Sequence, residues 1–393
     1  MRVSRVVSQA RDIAQQIDRI PYEEQPDAFF EAVRASDIPF LSCALSHRPG
    51  KLFELTFECL YWLSRASLPL TVGLTMHSYM LAGLATAPVA APTPLAQKRT
   101  ELLERIHQER LLVAVSSFGD RIKAAGQPRH EIRLEPDGDG FLARGRKMFQ
   151  SMASYADWIT FAADLDEVGL CFFITPLKGV PELVLGDRLF GGAMAHTDTR
   201  ILDYNDLKVG PEKILCLEND ATFDLLHYAT AWFEGLVGGA YLGAVSRALE
   251  EARVFANQVR TPQGLTLAEL DGVVVDVGKL ALRHRAALEL GRHFQAQLEL
   301  VKVQNFRPAS LSLLESSSGI KHHCAEAVNE VMGGVRALIG TRTMSPGSLL
   351  HRLNEQVVFC QLHPMMAATI ERDFGAQLLN DNEFLGLDEP NQG

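Results

Sequence analysis

HEIRLEPDGDGFLARGRKMF, residues 130–149, reads as two β-strands joined by a tight turn. Apolar and charged residues alternate in part, and Asp137-Gly138-Asp139-Gly140 supplies the glycines that a hairpin turn needs. Runs of the same character lie on both sides: LLVAVSSF (111–118), WITFAADL (158–165), LCFFIT (170–175), PELVLGD (181–187) and TRILDYNDLKV (199–209). Together they predict a compact antiparallel β domain from Leu111 to about Leu215.

Outside that block the period changes from two to that of a helix. Val6, Ala10, Ile13, Ile17, Phe29 and Val33, then a long run from Leu52 to Leu84, predict an all-helical first segment. Ser46-His47-Arg48-Pro49-Gly50 breaks it, and ATAPVAAPTP (85–94) links it to one more helix. His77 in this segment reads as a satisfied core histidine, with a ligand-facing role as the alternative. After Asn219, helices over 221–258, 265–305, 309–331 and 346–379 are expected to form an up-and-down four-helix bundle. Gly235, Gly238, Gly239 and Gly243 on the first of these imply close approach, either by another backbone or flat ligand or by tight packing in an oligomer. The expected domains are 1–109, 110–216 and 217–393.

At 393 residues and 47% hydrophobic content the chain can bury a large core. Thirty-eight basic against 48 acidic side chains give a net charge of -10 without a basic block, which argues against nucleic acid or an anionic membrane as partner. The six cysteines lie in apolar segments without CxxC spacing and read as reduced core residues. The start of the chain reads as an amphipathic helix, no apolar run is long enough to span a bilayer, and a cytoplasmic location is expected. His322, His323 and Cys324 resemble a metal cluster in composition only. Adjacent helical side chains point about 100° apart, so no metal is expected. There is no GxSxG elbow, no Walker loop, and no GxGxxG after a strand.

The stretch 333–364, GGVRALIGTRTMSPGSLLHRLNEQVVFCQLHP, reads as a glycine pair in a ligand-approaching loop followed by a helix ending in His363-Pro364.

Helical block, β domain and bundle, in that order, resemble the acyl-CoA dehydrogenase superfamily. HTDTRILDYNDLKVGPEKIL (196–215) is similar to the run that closes that family's β domain, and GRKMFQSMASYADWITFAA (145–163) to its flavin-facing strand pair. Lys321 with AEAVNEVMGG (325–334) resembles its bundle helix and the loop after it. The resemblance implies an α+β protein with an N-terminal all-α domain, a middle antiparallel β-barrel domain and a C-terminal four-helix bundle. It also implies FAD, a homodimer or homotetramer, and an electron-transfer partner or flavin reductase.

By that resemblance Phe149 would lie against the flavin ring, Ser151 near its N5, and Gly333 and Gly334 on the loop approaching the adenine dinucleotide. The family's glycine-rich substrate segment is replaced by AVSSFGDRIKAAG (114–126), leaving Ser116, Ser117, Gly119 and Asp120 for its work. RTPQG stands where an arginine motif supports a neighbouring subunit's cofactor, leaving Arg260. Glu330 stands in place of the usual glutamine.

The family's usual catalytic carboxylate is replaced by His363. Three readings follow. In the first, Glu234, amid Trp232, Phe233 and Leu236, is the base of a dehydrogenase acting on a coenzyme A or carrier-protein thioester, with hydride passing to N5. In the second, the chain is a two-component monooxygenase using reduced flavin and O2, with His363 at the reacting centre. In the third, it is a catalytically degenerate binding protein. The first is the leading expectation.

Overall fold

Proline and hydroxyl residues set the helix starts of the first third. The structure, a computed structural model, describes residues 3–89, 93–116 and 131–380. Its first third contains α1 (Val3–Ile17), α2 (Gln25–Ala35), α3 (Leu41–Leu45), α4 (Pro49–Ser64), α5 (Leu68–Thr86) and α6 (Pro94–Gln108). Pro49 and Pro94 occupy first-turn positions, where their missing N–H costs nothing. Thr93 caps α6 by accepting from the Ala96 N–H at 3.2 Å.

The β domain contains β1 (Val113–Ser116), β2 (Ile132–Asp137), β3 (Gly140–Gln150), β4 (Trp158–Leu165), β5 (Gly169–Pro176), β6 (Leu183–Arg188), β7 (Arg200–Val209) and β8 (Ile214–Cys216). β2 and β3 form the expected hairpin with Asp137 opposite Gly140, and Gly138 takes the left-handed φ of +63°. The sheet runs β6-β7-β3-β2-β4-β5-β8. It is mixed where an antiparallel one was expected, because β1 and β2 both run parallel to β4, one after the other along its length. Short-range alternation specifies a strand but not its distant neighbour, so this departure had no local signal.

α7 (Asn219–Gln258) is the axis of the last third, followed by α8 (Asp271–Leu298) and α9 (Phe306–Ile339). The fourth expected helix is broken into α10 (Leu349–Gln356), α11 (Phe359–Leu362) and α12 (Ala367–Asn380). Pro364 lies at the second break, where a ring without an N–H cannot continue a helix.

α7 packs on α9 and α8 and also on α4 and α5, so its middle is buried on every face. The glycine stripe serves this packing within the chain. A Cβ at Gly243 would lie 2.0 Å from the Tyr61 carbonyl oxygen of α4, and one at Gly238 would lie 2.9 Å from the Cys324 sulfur of α9. Gly333 and Gly334 belong to α9 rather than to a loop. Gly334 is closed by Leu280 of α8, whose side chain a Cβ would meet at 2.5 Å, and the left-handed turn falls later, at Gly340 (φ +73°).

Two alanine substitutions separate packing from loop roles. Gly243→Ala is expected to destabilise by about 1–3 kcal/mol, because a backbone carbonyl blocks the methyl. Gly333→Ala, whose Cβ meets only the Arg336 guanidinium at 3.8 Å, is expected to stabilise by about 0.5–1 kcal/mol as an ordinary helix-interior replacement. Denaturant unfolding of the two variants measures both.

Candidate functional site

The polar knot at the centre of the bundle starts from one buried carboxylate. Glu234 sits on α7 with no solvent exposure, and an unpaired carboxylate there would be very costly. Its Oε2 accepts from Ser317 Oγ at 2.9 Å and Ser318 Oγ at 2.7 Å, both on α9. Its Oε1 accepts from the Met365 N–H at 3.1 Å. Burial raises the Glu234 pKa, opposed by the Ser318 hydroxyl, the Met365 N–H and the charge of Lys321.

Lys321, also buried on α9, donates to the carbonyl oxygens of His363 at 2.8 Å and Met365 at 2.5 Å, and burial lowers its pKa. The turn 363–365 is therefore clamped twice, by a carboxylate on its N–H and an ammonium on its carbonyls. His363, partly exposed, follows α11, and its Nε2 lies 2.8 Å from the Tyr241 hydroxyl. Its ring meets Phe233 and Tyr241 edge-on. Burial of the imidazole, with Lys321 nearby, pulls its pKa down to about 3, so the ring is neutral at working pH. Tyr241, its phenol pKa pushed far up by burial, keeps its proton.

The second part of the site is the end of β3. The pairing of β3 with β7 shifts register between Lys147 and Gln150, and Phe149 takes a φ of +72° within that irregularity. The bulge turns the Phe149 ring outward, 48% exposed, toward Phe190, which in turn meets Phe359 of α11 with ring centroids 5.2 Å apart. Gln150 points inward, donating to Ser116 Oγ at 3.2 Å and to the Met148 carbonyl at 2.8 Å. Ser151 Oγ lies 2.9 Å from Thr199 Oγ1, which lies 2.8 Å from Thr197 Oγ1. The segments 152–154 and 197–198 are zipped by Met152 N–H to Thr197 O at 2.7 Å and Ser154 N–H to the Asp198 carboxylate at 2.6 Å. Asp198 is itself held by Arg188 and Arg200.

The structure thus brings Glu234 and His363 into one network, and Phe149, Ser151 and Ser116 to one end of the sheet, where Phe149 reaches α11 through Phe190. It does not bring Gly333, Gly334 or Arg260 there. Gly334 packs on α8, and Arg260 is exposed in the α7–α8 connection, donating to the Gly264 carbonyl at 2.7 Å. Ser117, Gly119 and Asp120 lie outside the described residues. Glu330 is matched by a two-point contact with Arg283. His77 is a core residue: the Val113 N–H donates to its Nδ1 and its Nε2 donates to the Pro39 carbonyl, both at 2.9 Å. Ligand atoms of His322, His323 and Glu326 lie within 4.8 Å of one another, closer than the expected divergence of the two rings allowed, on an exposed part of α9.

Residues that the sequence reading passed over are Tyr241, Ser317, Ser318, Thr197 and Thr199. Three had a signal: Tyr241 is two helical turns from Glu234 and shares its face, and Ser317 and Ser318 precede Lys321 by one turn.

No protein-family model matches the chain. Its fold is the one shared by acyl-CoA dehydrogenases and by flavin-binding monooxygenases of the same architecture. The dibenzothiophene monooxygenase TdsC of Paenibacillus sp. A11-2, solved with FMN, superposes with a TM-score of 0.80 at 18% identity, covering 96% of this chain and 97% of that one. Butyryl-CoA dehydrogenase of Megasphaera elsdenii gives a TM-score of 0.76 at 16% identity over 96% and 98% of the two chains. In sequence the chain is 28% identical to the isobutylamine N-hydroxylase of Streptomyces viridifaciens over 197 residues, 48% of this chain. That match spans about half of the relative, 51% of its length. Among the described residues no helix is long and apolar enough to cross a membrane.

Two histidines held neutral by their surroundings set an acid limit on stability. His363 (about 3) and His77 (about 4) are neutral in the fold, whereas an unfolded chain protonates them near pH 6.5. Below that value the unfolded state binds more protons, so their contribution is complete above pH 6.5 and is lost as pH falls toward the folded values. Melting temperatures taken from about pH 7.5 to about pH 4.5 are expected to fall, and to fall less steeply in His363→Asn and His77→Asn. Unchanged slopes in both variants would contradict this.

Proposed function

We propose that the chain is a flavin-dependent monooxygenase that receives reduced flavin from a partner reductase and uses O2 to oxygenate a small substrate, an amine being the first class to test. The observation that carries the reading is the state of the two candidate groups. A dehydrogenase base needs a carboxylate free to take an α-proton. Glu234 is fully buried and already accepts from Ser317, Ser318 and the Met365 N–H, so it serves as the anchor of the 363–365 turn. The likeness to an N-hydroxylase and to TdsC supports the same choice.

The residues at the end of β3 fit a flavin. Phe149 offers an exposed aromatic face for a flat ring, Ser151 a hydroxyl for the ring's polar edge, and Gln150 a buried carbonyl oxygen without a partner among the described residues. FMN or FAD would meet these groups equally, since both carry the same ring. Bound in its reduced form, the flavin would supply two electrons and activate O2.

The chain's own part is to exclude water, hold the ring and orient the substrate. Phe149, Phe190 and Phe359 provide an apolar wall between sheet and bundle. With Nε2 engaged by the Tyr241 hydroxyl, the neutral His363 ring has Nδ1 left to hydrogen-bond a ligand. With a pKa of about 3 it is a poor proton acceptor, so its role is to hold a hydrogen bond at the reacting centre rather than to act as a general base.

The test is to supply reductase-generated reduced flavin and air with a panel of short alkylamines and follow oxygenated product. Product that requires both reduced flavin and O2 is expected, with His363→Ala lowering its rate by about tenfold or more. Product formation without O2, or no binding of flavin in either redox state, would overturn the reading.

A further inference from the structure

We infer that Ser151, Thr199 and Thr197 form a proton-ordered relay that turns Ser151 into a hydrogen-bond acceptor toward flavin N5, so that the site selects reduced over oxidised flavin. This deepens the flavin reading above and rests on it.

The order follows from counting protons. A hydroxyl has one proton and a carbonyl has none to give. Thr197 Oγ1 donates to the Met194 carbonyl at 2.8 Å. In its 2.8 Å contact with Thr199 it can then only accept, so the Thr199 proton is committed there. In the 2.9 Å contact between Thr199 and Ser151, Thr199 can in turn only accept, so the Ser151 proton points inward. This is the one arrangement that satisfies all three contacts. What Ser151 can turn toward a ligand is its lone pairs.

Water has little chance to restart the order. Thr197 is 2% exposed, Thr199 3% and Ser151 9%. The backbone zip between 152–154 and 197–198 fixes the hydroxyls relative to one another, and Asp198 with its two arginines fixes the zip.

Flavin N5 reports its oxidation state in the same terms. Oxidised, it offers a lone pair, which an acceptor oxygen repels; reduced, it carries N–H, which the oxygen accepts. Binding the oxidised form through Ser151 costs one buried bond by either route: Ser151 turns its proton away from Thr199, or the relay reverses and Thr197 withdraws its proton from the Met194 carbonyl. Losing that buried bond sets the preference for the reduced form on the order of tenfold. Thr199 and Thr197 are therefore positioning residues that act through Ser151. A protein built this way takes flavin once it is reduced and releases it once it is oxidised, which suits delivery by a separate reductase.

The experiment measures dissociation constants of oxidised FMN and of anaerobically photoreduced FMN for the intact chain and its variants. Reduced FMN is expected to bind about tenfold tighter or better, raising the bound midpoint potential by about 30 mV for each tenfold. Thr199→Val removes the acceptor of the Ser151 proton, and Thr197→Val opens the relay at its other end. Both are expected to bring the ratio toward one, mainly by improving oxidised-FMN binding, and Thr199→Ser is expected to retain it. If Thr199→Val does not fold, Thr197→Val tests the same order independently. A wild-type ratio near one, or valine variants that keep the wild-type ratio, would overturn the relay while leaving flavin binding intact. Failure of both forms to bind would remove the flavin reading itself, and the relay with it.

Discussion

A forty-residue helix whose middle is buried on every face carries a carboxylate there, and much of the site follows from satisfying that one group. Glu234 cannot stay in the core without donors. α9 supplies two hydroxyls and the turn after α11 supplies an N–H. The same turn must then meet Lys321, which is buried as deeply and needs acceptors. A buried acid and a buried base that do not touch each other directly are thus joined through the backbone of residues 363–365. Such a network is a poor source of net stability, but removing one member strands the others, so it fixes a unique geometry. His363 inherits that geometry.

The β domain reaches the same place by different means. A bulge in β3 expels the Phe149 ring and lets Ser151 turn inward to Thr199. The strain of a non-glycine residue at positive φ is held by the zip to residues 197–198 and by the twin arginines on Asp198. Phe190 then carries aromatic contact across to Phe359, one short helix before His363. The aromatic contacts run from the sheet to α11, and the neutral imidazole follows that helix. That combination suits a reaction in which a flavin and oxygen do the electron chemistry and the protein supplies shape, dryness and hydrogen bonds.

The order of helical, strand and helical blocks was legible because hydrophobic period is a local property, and the Asp137–Gly140 turn falls where its glycines placed it. Pairing of β1 and β2 with β4 was not, because partners distant in sequence leave no mark on either run. Gly333 and Gly334 misled because a glycine pair signals a loop, whereas both lie within α9; at Gly334 the cost of glycine in a helix, about 1 kcal/mol, is offset by the close fit on Leu280, and at Gly333 nothing packs close enough to offset it. Glu234 and His363 were each visible as unusual residues. That one turn joins them was not, since the link runs through main-chain atoms that any residue supplies.

The central claim is that Glu234 is an anchor and that the chain does not desaturate acyl thioesters. The direct measurement is the visible absorbance of the protein loaded with oxidised flavin after mixing, without oxygen, with acyl thioesters of several chain lengths on coenzyme A and on a carrier protein. The flavin is expected to stay oxidised throughout. Bleaching by any of them, lost in Glu234→Gln, would contradict the account and make that carboxylate the base.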